Sequence, residues 1–251
     1  MQPDLDLLAK ANFFNLSGNP YPGRGIVVGL DETDKYLVQV YWIMGRSENS
    51  RNRVFSADDR RVYTEAADPS KVKDPSLIIY NAMLQSDGCY IVSNGDQTDT
   101  ILELQPRYDW GPGDIDFALE SREYEPDAPN YTQRITAVCS IVAGHPAFIQ
   151  MSILRKSMFD SGCDRLAYFY DNLRSGLGFC ITTYSGDGDP LPAFRGDPLL
   201  MPLVGGIKVI AQAYWAALNE ANRVSLVVKF IDKMTGESRV HIINKYEKAA
   251  P

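Results

Sequence analysis

RITAVCSIVA, residues 134–143, carries apolar side chains on both of its faces. Successive side chains of a strand point to opposite sides of the sheet. Ile135, Ala137, Cys139 and Ile141 would face one side, and Val138 and Val142 the other. A strand of this kind belongs to a sheet covered on both sides. The segments that follow it, AFIQMSIL (147–154), RLAYFYD (165–171) and GFCITTY (178–184), are further strand candidates. Upstream, GIVVGL (25–30) and YLVQVYWI (36–43) flank the turn residues DETDK and predict a hairpin. RVSLVVKFI (223–231) and RVHIINKY (239–246) predict a closing hairpin across DKMTGES. CYIVSNG (89–95) reads as a strand that runs into a turn.

Helical signals are fewer. IKVIAQAYWAALNEA (207–221) has apolar residues at helical spacing. TDTILELQ (98–105) opens a second helix, with Thr98 or Asp99 as its cap. Asp114 caps a third, from Ile115 to about Tyr124, before Pro126 and Pro129 end it. SLIIYNAML (76–84) is too short to type by periodicity, and residues 56–76 read as a charged, turn-rich surface stretch. YSGDGDPLPAFRGDP (184–198) is the most turn-rich loop. Many strands, few helices and no regular β-α alternation predict an α+β fold of stacked, mainly antiparallel sheets with outer helices. No repeat or low-complexity linker divides residues 1–251, so one domain is expected, with residues 1–20 as an N-terminal extension.

Composition narrows the function. The net charge is -7, and 45% of residues are hydrophobic. An acidic chain lacks the extended basic face that nucleic-acid binding uses. Cys89, Cys139, Cys163 and Cys180 form no C-x-x-C pair, and His145 and His241 are the only histidines. That is poor material for a zinc site. Reduced thiols and a cytoplasmic protein are the simplest expectation. The start, MQPDLDLLAKANFF, carries Asp4 and Asp6 where a signal peptide would be apolar, and no apolar run has the length of a membrane span.

Four segments carry unusual polar chemistry. YWIMGRSENSRNRVF (41–55) gathers Arg46, Arg51 and Arg53, with Asn52 among them. The planar fork of arginine matches the oxygens of a phosphate or carboxylate. Solvated ion pairs with surface carboxylates are the alternative for such a cluster. IIYNA places Tyr80 and Asn81 at the end of an apolar run; Tyr80 could equally be a core aromatic with a bonded tip. VSNGDQTDT (92–100) reads as an anion nest of backbone N–H groups or as an Asx turn with a helix cap. YEPDAPNYTQRI (124–135) sets Glu125 before a proline, where a solvated helix-end acid is the plainer reading.

Taken in order, these motifs resemble the archaeal-type inosine monophosphate (IMP) cyclohydrolase family. The likeness is densest over about residues 22–150, and SNGDQTDTI is its most specific part. The resemblance implies a four-layer α-β-β-α sandwich similar to the N-terminal nucleophile hydrolases, without use of an N-terminal nucleophile. It implies closure of the second purine ring. The 5-formamido form of aminoimidazole carboxamide ribotide (FAICAR) becomes IMP with loss of water, and neither a metal nor a redox cofactor is required. Arg53, Tyr80 and Glu125 match the family's active-site residues. Arg53 would act at the reacting base or oxyanion, Tyr80 would exchange a proton with the formyl oxygen, and Glu125 would accept a proton from the carboxamide or orient it. Arg46, Asn52, Asn81, Asn94, Gly95, Thr98, Asp99, Asn130 and Arg134 would bind substrate or complete the pocket, with Arg46 on the phosphate or the loop's structure. A homo-oligomer is expected from the same resemblance. Two alternatives remain: a non-catalytic purine-nucleotide-binding protein of the same fold, and an N-terminal-nucleophile amidohydrolase. The second needs a processed chain starting with Cys, Ser or Thr, and a start at Met1-Gln2 argues against it.

Overall fold

The computed structural model describes residues 4–72, 75, 78–104, 114–142 and 145–248. Ser76, Leu77, Gln105 and Ala143, at the ends of segments quoted above, lie outside the described residues. Elements are numbered in chain order; α2 is the single turn Glu48–Arg51 within the arginine-rich segment.

The predicted first hairpin is present as β1 (Gly25–Leu30) and β2 (Tyr36–Met44), paired antiparallel. Its turn is set by Asp31, whose carboxylate accepts from the backbone N–H of Tyr36 at 2.8 Å and of Thr33 at 3.2 Å. The closing hairpin is β12 (Arg223–Asp232) and β13 (Ser238–Asn244), and β12 adds to the far side of β2. With β10 (Leu177–Thr182) and β11 (Leu199–Pro202) they form a six-stranded antiparallel sheet, ordered β11-β10-β1-β2-β12-β13.

The second sheet has seven strands in sequence order. They are β3 (Val54–Ala57), β4 (Arg61–Glu65), β5 (Asn81–Ser86), β6 (Cys89–Ser93), β7 (Arg134–Ser140), β8 (Phe148–Lys156) and β9 (Cys163–Tyr170). Every neighbouring pair is antiparallel.

Both faces of both sheets are covered, as RITAVCSIVA predicted. On β7, Ile135, Ala137 and Cys139 enter the core between the sheets. Val138 faces outward, to Ile101 of α3 (Gln97–Leu104) and Ile115 of α4 (Asp114–Ala118). On β2, Leu37, Tyr41 and Ile43 enter the same inter-sheet core. Val38, Val40, Trp42 and Met44 face outward, to Leu16 of α1 (Leu5–Gly18) and Tyr214 of α5 (Ile207–Ala217). The order helices, sheet, sheet, helices is an α+β sandwich of four layers.

Three local expectations are corrected, and the N-terminal extension is found to hold a helix. Residues 56–76 are not all surface turn: they hold the end of β3, all of β4 and the short 3-10 turn Pro69–Lys71. In β4, exposed Arg61 and half-buried Glu65 hide the alternation behind charge. α3 begins at Gln97, ahead of Thr98 and Asp99. α4 starts at Asp114 and ends at Ala118 rather than running to Tyr124. Arg122 N–H turns back to the carbonyl of Leu119 at 2.9 Å, and Glu125 N–H bonds the carbonyl of Thr132 at 2.8 Å. The N-terminal stretch holds α1, capped by the Asp4 carboxylate and tied to β11 by Asn12, whose amide donates to the carbonyl of Leu200 at 2.9 Å.

A charged side chain breaks the apolar pattern of the inner face. Lys229 of β12 is 2% exposed and donates to the side-chain oxygen of Gln85. Burial lowers its pKa from 10.5 to about 8, against a weaker opposing pull from Cys139. As pH falls from 10.5 to about 8, the unfolded chain takes up a proton that the folded chain refuses. Stability is therefore lost through that window and stays lost below it. At roughly 1.4 kcal/mol per pH unit the penalty is about 3 kcal/mol. Lys229→Met is accordingly expected to raise stability at pH 7 by up to about 3 kcal/mol. That advantage should shrink as pH rises from 8 to 10.5, which urea denaturation across that range would show.

Candidate active site

The site is built around an arginine held between two glycines. Gly23 has φ +72°, and a Cβ there would lie 2.2 Å from Thr183 Oγ1. A Cβ on Gly25 would meet the Trp42 ring at 2.0 Å. The two glycines let the start of β1 run flush against residues 183–184 on one side and β2 on the other. Arg24 is thereby carried into the protein, 8% exposed.

Its guanidinium donates to Glu125 Oε2 at 2.9 Å and to the carbonyl of Asn94 at 3.1 Å. Glu125 is 4% exposed, and its other oxygen lies 3.5 Å from the Asn94 amide nitrogen. Asn94 is itself fixed. Its oxygen accepts from Ile135 N–H at 2.8 Å and from Gln97 at 3.0 Å, and its amide donates to the carbonyl of Gln133 at 3.0 Å. Burial raises the pKa of Glu125, and the charge of Arg24 offsets part of that rise. Burial also works against the charge of Arg24, but Glu125, Tyr80 and Tyr41 outweigh it and hold the guanidinium protonated.

Arg53 is buried as well. It donates to the carbonyl of Ser50 at 2.9 Å, and its Nη2 lies 3.4 Å from the carbonyl of Met44. Burial lowers its pKa, Tyr80 favours its charge and Arg24 disfavours it. Among the described residues no carboxylate pairs with it. Tyr80 is buried, with its hydroxyl 2.6 Å from that of Tyr41. Its backbone is pinned by Thr64, whose Oγ1 accepts from Tyr80 N–H at 2.9 Å and donates to the carbonyl of Ile78 at 2.7 Å.

Arg24, Arg53 and Glu125 line one cavity of about 330 Å³, together with Arg46, Asn130 and Tyr184. A larger cavity, about 670 Å³, is lined by Arg60, Tyr90, His145 and Lys233 and holds none of these groups. A family model described as IMP cyclohydrolase-like protein matches residues 21–236. The chain belongs to the IMP cyclohydrolase-like family. No curated relative matches it. The family match begins at Tyr21, just before the two glycines that seat Arg24.

The other motif residues of this IMP cyclohydrolase-like chain divide into three groups. Arg46 and Asn130 line the cavity. Arg46 is paired with Asp187, bonds the carbonyl of Gly188 at 3.2 Å and lies over the Tyr21 ring at 4.9 Å. Asn130 accepts from Leu191 N–H at 3.0 Å. Loop 184–198 thus forms one wall. Asn94 and Arg134 stand behind Glu125: the first through its contact with the carboxylate, the second through its charge. Arg134 bonds Asp96 at 2.9 Å and Gln97 at 2.8 Å, and a Cβ on Gly95 would lie 2.5 Å from its guanidinium.

Tyr80, Asn94, Gly95 and Arg134 are not among the cavity's lining residues, and neither are Asn52, Asn81, Thr98 and Asp99. Asn52 bonds the backbone of Asp68 with both ends of its amide, at 2.7 and 2.8 Å. Asn81 donates to Asp99 at 2.8 Å, and Thr98 donates to the carbonyl of Asn81. These bonds fasten α3 to β5. Arg51, which sequence reasoning leaves unassigned, donates to the carbonyl of Gly45 at 3.0 Å and closes the arginine loop on itself.

Sequence reasoning missed Arg24, Tyr41, Asn49 and Tyr184. Gly23-Arg24-Gly25 at the head of a strand is a local signal, since paired glycines mark close backbone approach. Asn49 Oδ1 is enclosed, lines the cavity and has no partner among the described residues. The Tyr184 hydroxyl meets Thr132, and burial pushes its pKa up to about 12. Among the described residues, no group of three His, Cys, Asp or Glu side chains is arranged to hold a metal ion, and no helix is long and apolar enough to cross a membrane.

Proposed function

We propose that this cavity closes the purine ring of FAICAR to give IMP and water. The observation that carries the reading is the convergence of Arg53, Glu125 and Arg24 on one cavity. The carboxamide nitrogen attacks the formyl carbon of the same molecule, so holding the two groups together supplies much of the rate. In the first step an N–C bond forms, the carboxamide nitrogen loses one proton and the formyl oxygen gains one. In the second, that oxygen leaves as water, and the formamido nitrogen gives up its proton as the C=N bond forms.

Each step has a group suited to it. Glu125 takes the carboxamide proton. Burial raises its proton affinity, which suits a carboxylate that accepts and returns a proton near neutral pH. Arg53, buried without a carboxylate partner among the described residues, stabilises charge on the formyl oxygen. Tyr80 supplies that oxygen's proton. Arg46, exposed at the rim, takes the phosphate once its bond to Asp187 opens. The ligand is a purine ribotide with one phosphate.

Arg53→Ala is expected to lower FAICAR ring closure by about 10²–10³-fold, the usual effect of deleting an oxyanion donor. Circular dichroism should stay unchanged. Ring closure at the wild-type rate would remove Arg53 from the chemistry.

A further inference from the structure

Tyr21 and Tyr184 both line the cavity, and they differ in what their hydroxyls do. The Tyr184 hydroxyl meets Thr132. Tyr21 donates its backbone N–H to Asn19 Oδ1 at 3.0 Å, but its hydroxyl has no hydrogen-bond partner among the described residues. Nor is that hydroxyl one of the enclosed, unpartnered oxygens, so it opens on the cavity that the residue lines. The rest of Tyr21 is held. The residue is 6% exposed and lies between Pro20 and Pro22, whose rings restrict the backbone. Its ring stacks on Tyr184 at 6.0 Å, and the Arg46 guanidinium lies over it at 4.9 Å. The phenol is therefore aimed before a ligand arrives. Arg46 covers the ring, whereas the hydroxyl feels the charges of Arg24 and Arg53 more than that of Arg46. Burial raises its pKa by more than these arginines lower it, so it stands in the cavity as a neutral O–H donor. Arg53 spends two of its N–H groups on the carbonyls of Ser50 and Met44. An oxyanion accepts more than one hydrogen bond, so a second donor beside Arg53 has a task.

We infer that Tyr21 is that second donor: its O–H bonds the formyl oxygen of the substrate beside Arg53 while negative charge builds there. A hydrogen bond to a charged oxygen is stronger than one to a neutral carbonyl, so the contact favours the transition state over the bound substrate. Tyr21 keeps its proton, and no bond to it breaks. IMP lacks the formyl oxygen, which has left as water, so the contact is made to substrate and not to product. The inference rests on the ring-closure reading above.

The test compares Tyr21→Phe with wild type in kinetics, in calorimetric binding and in melting. The variant keeps the ring between Tyr184 and Arg46 and loses no hydrogen bond to the described residues, so its melting temperature should match wild type. A lower one would show that the hydroxyl is spent inside the protein and overturn the inference. With FAICAR, kcat is expected to fall about 10²-fold, as for loss of one oxyanion donor. KM should rise only about threefold, the share of a neutral hydrogen bond. Binding of IMP and of aminoimidazole carboxamide ribotide, neither of which carries the formyl oxygen, should be unchanged. Weaker binding of either would place the hydroxyl on the phosphate, the ribose or the carboxamide and overturn the inference, and so would a wild-type kcat. If the wild-type protein closes no ring, the function proposed above fails, and equilibrium binding of FAICAR decides the contact. An affinity for FAICAR lowered about threefold in Tyr21→Phe, with IMP unchanged, would keep it. Equal affinities would sink the inference as well.

Discussion

Arg24→Met is expected to destabilise the protein by about 3–5 kcal/mol and to abolish ring closure. The stability loss follows from what remains behind. Glu125 is 4% exposed, and Arg24 is its only ion-pair partner among the described residues, at 2.9 Å. Removing one member of a buried pair leaves an uncompensated charge in a poor solvent, at about 3–5 kcal/mol. Glu125 responds by holding its proton more tightly, because the charge of Arg24 is the largest influence opposing the burial that already raises its pKa. It then no longer takes a proton from substrate near neutral pH. Arg24 also bonds the carbonyl of Asn94 at 3.1 Å, so the turn behind Glu125 loosens as well. The double variant Arg24→Met/Glu125→Gln should recover part of the stability, since no buried charge is left, and none of the activity. Urea midpoints of the two variants check this. An Arg24→Met protein as stable as wild type would show that the pair does not hold the site together.

Tyr80→Phe is expected to lower kcat by about 10²–10⁴-fold, the range for loss of a positioned proton donor. KM should change little, because the ring and its packing are kept. Stability should fall by about 1–3 kcal/mol, since the enclosed hydroxyl of Tyr41 loses its hydrogen-bond partner. A core aromatic with an idle tip would show the second effect without the first. Steady-state kinetics beside a denaturation curve separate the two cases.

Much of the fold could be read from period-two patterns. β2 shows why: Leu37, Tyr41 and Ile43 alternate with Val38, Val40, Trp42 and Met44, and both rows are apolar because both faces are covered. β4 was missed because it is partly wetted, with Arg61 exposed and only Val62 and Thr64 turned inward. Helix ends were misplaced where tertiary demands outweigh local preference. α4 ends at Ala118 because the chain must turn to deliver Glu125 to the carbonyl of Thr132.

The site was partly legible, and the remainder has a common cause. Arg53, Glu125 and Arg46 stand out as charges in unusual contexts, and all three line the cavity. Arg24 is a lone arginine in a β-rich stretch, and its partner Glu125 lies a hundred residues away, so no local pattern joins them. Tyr41 lies in the strand candidate YLVQVYWI, and nothing in one dimension shows that its hydroxyl meets that of Tyr80. Thr98 and Asp99 looked like a ligand turn because short polar side chains serve caps, clasps and anion nests alike. Their bonds to Asn81 make them a clasp.

The most direct measurement is the absorbance change of FAICAR incubated with the purified protein, with the product identified by chromatography against IMP. The expected result is conversion of FAICAR to IMP that scales with protein concentration and falls to the uncatalysed level in Arg24→Met. Tight binding of IMP with no conversion of FAICAR would contradict ring closure and make the cavity a nucleotide-binding site without catalysis.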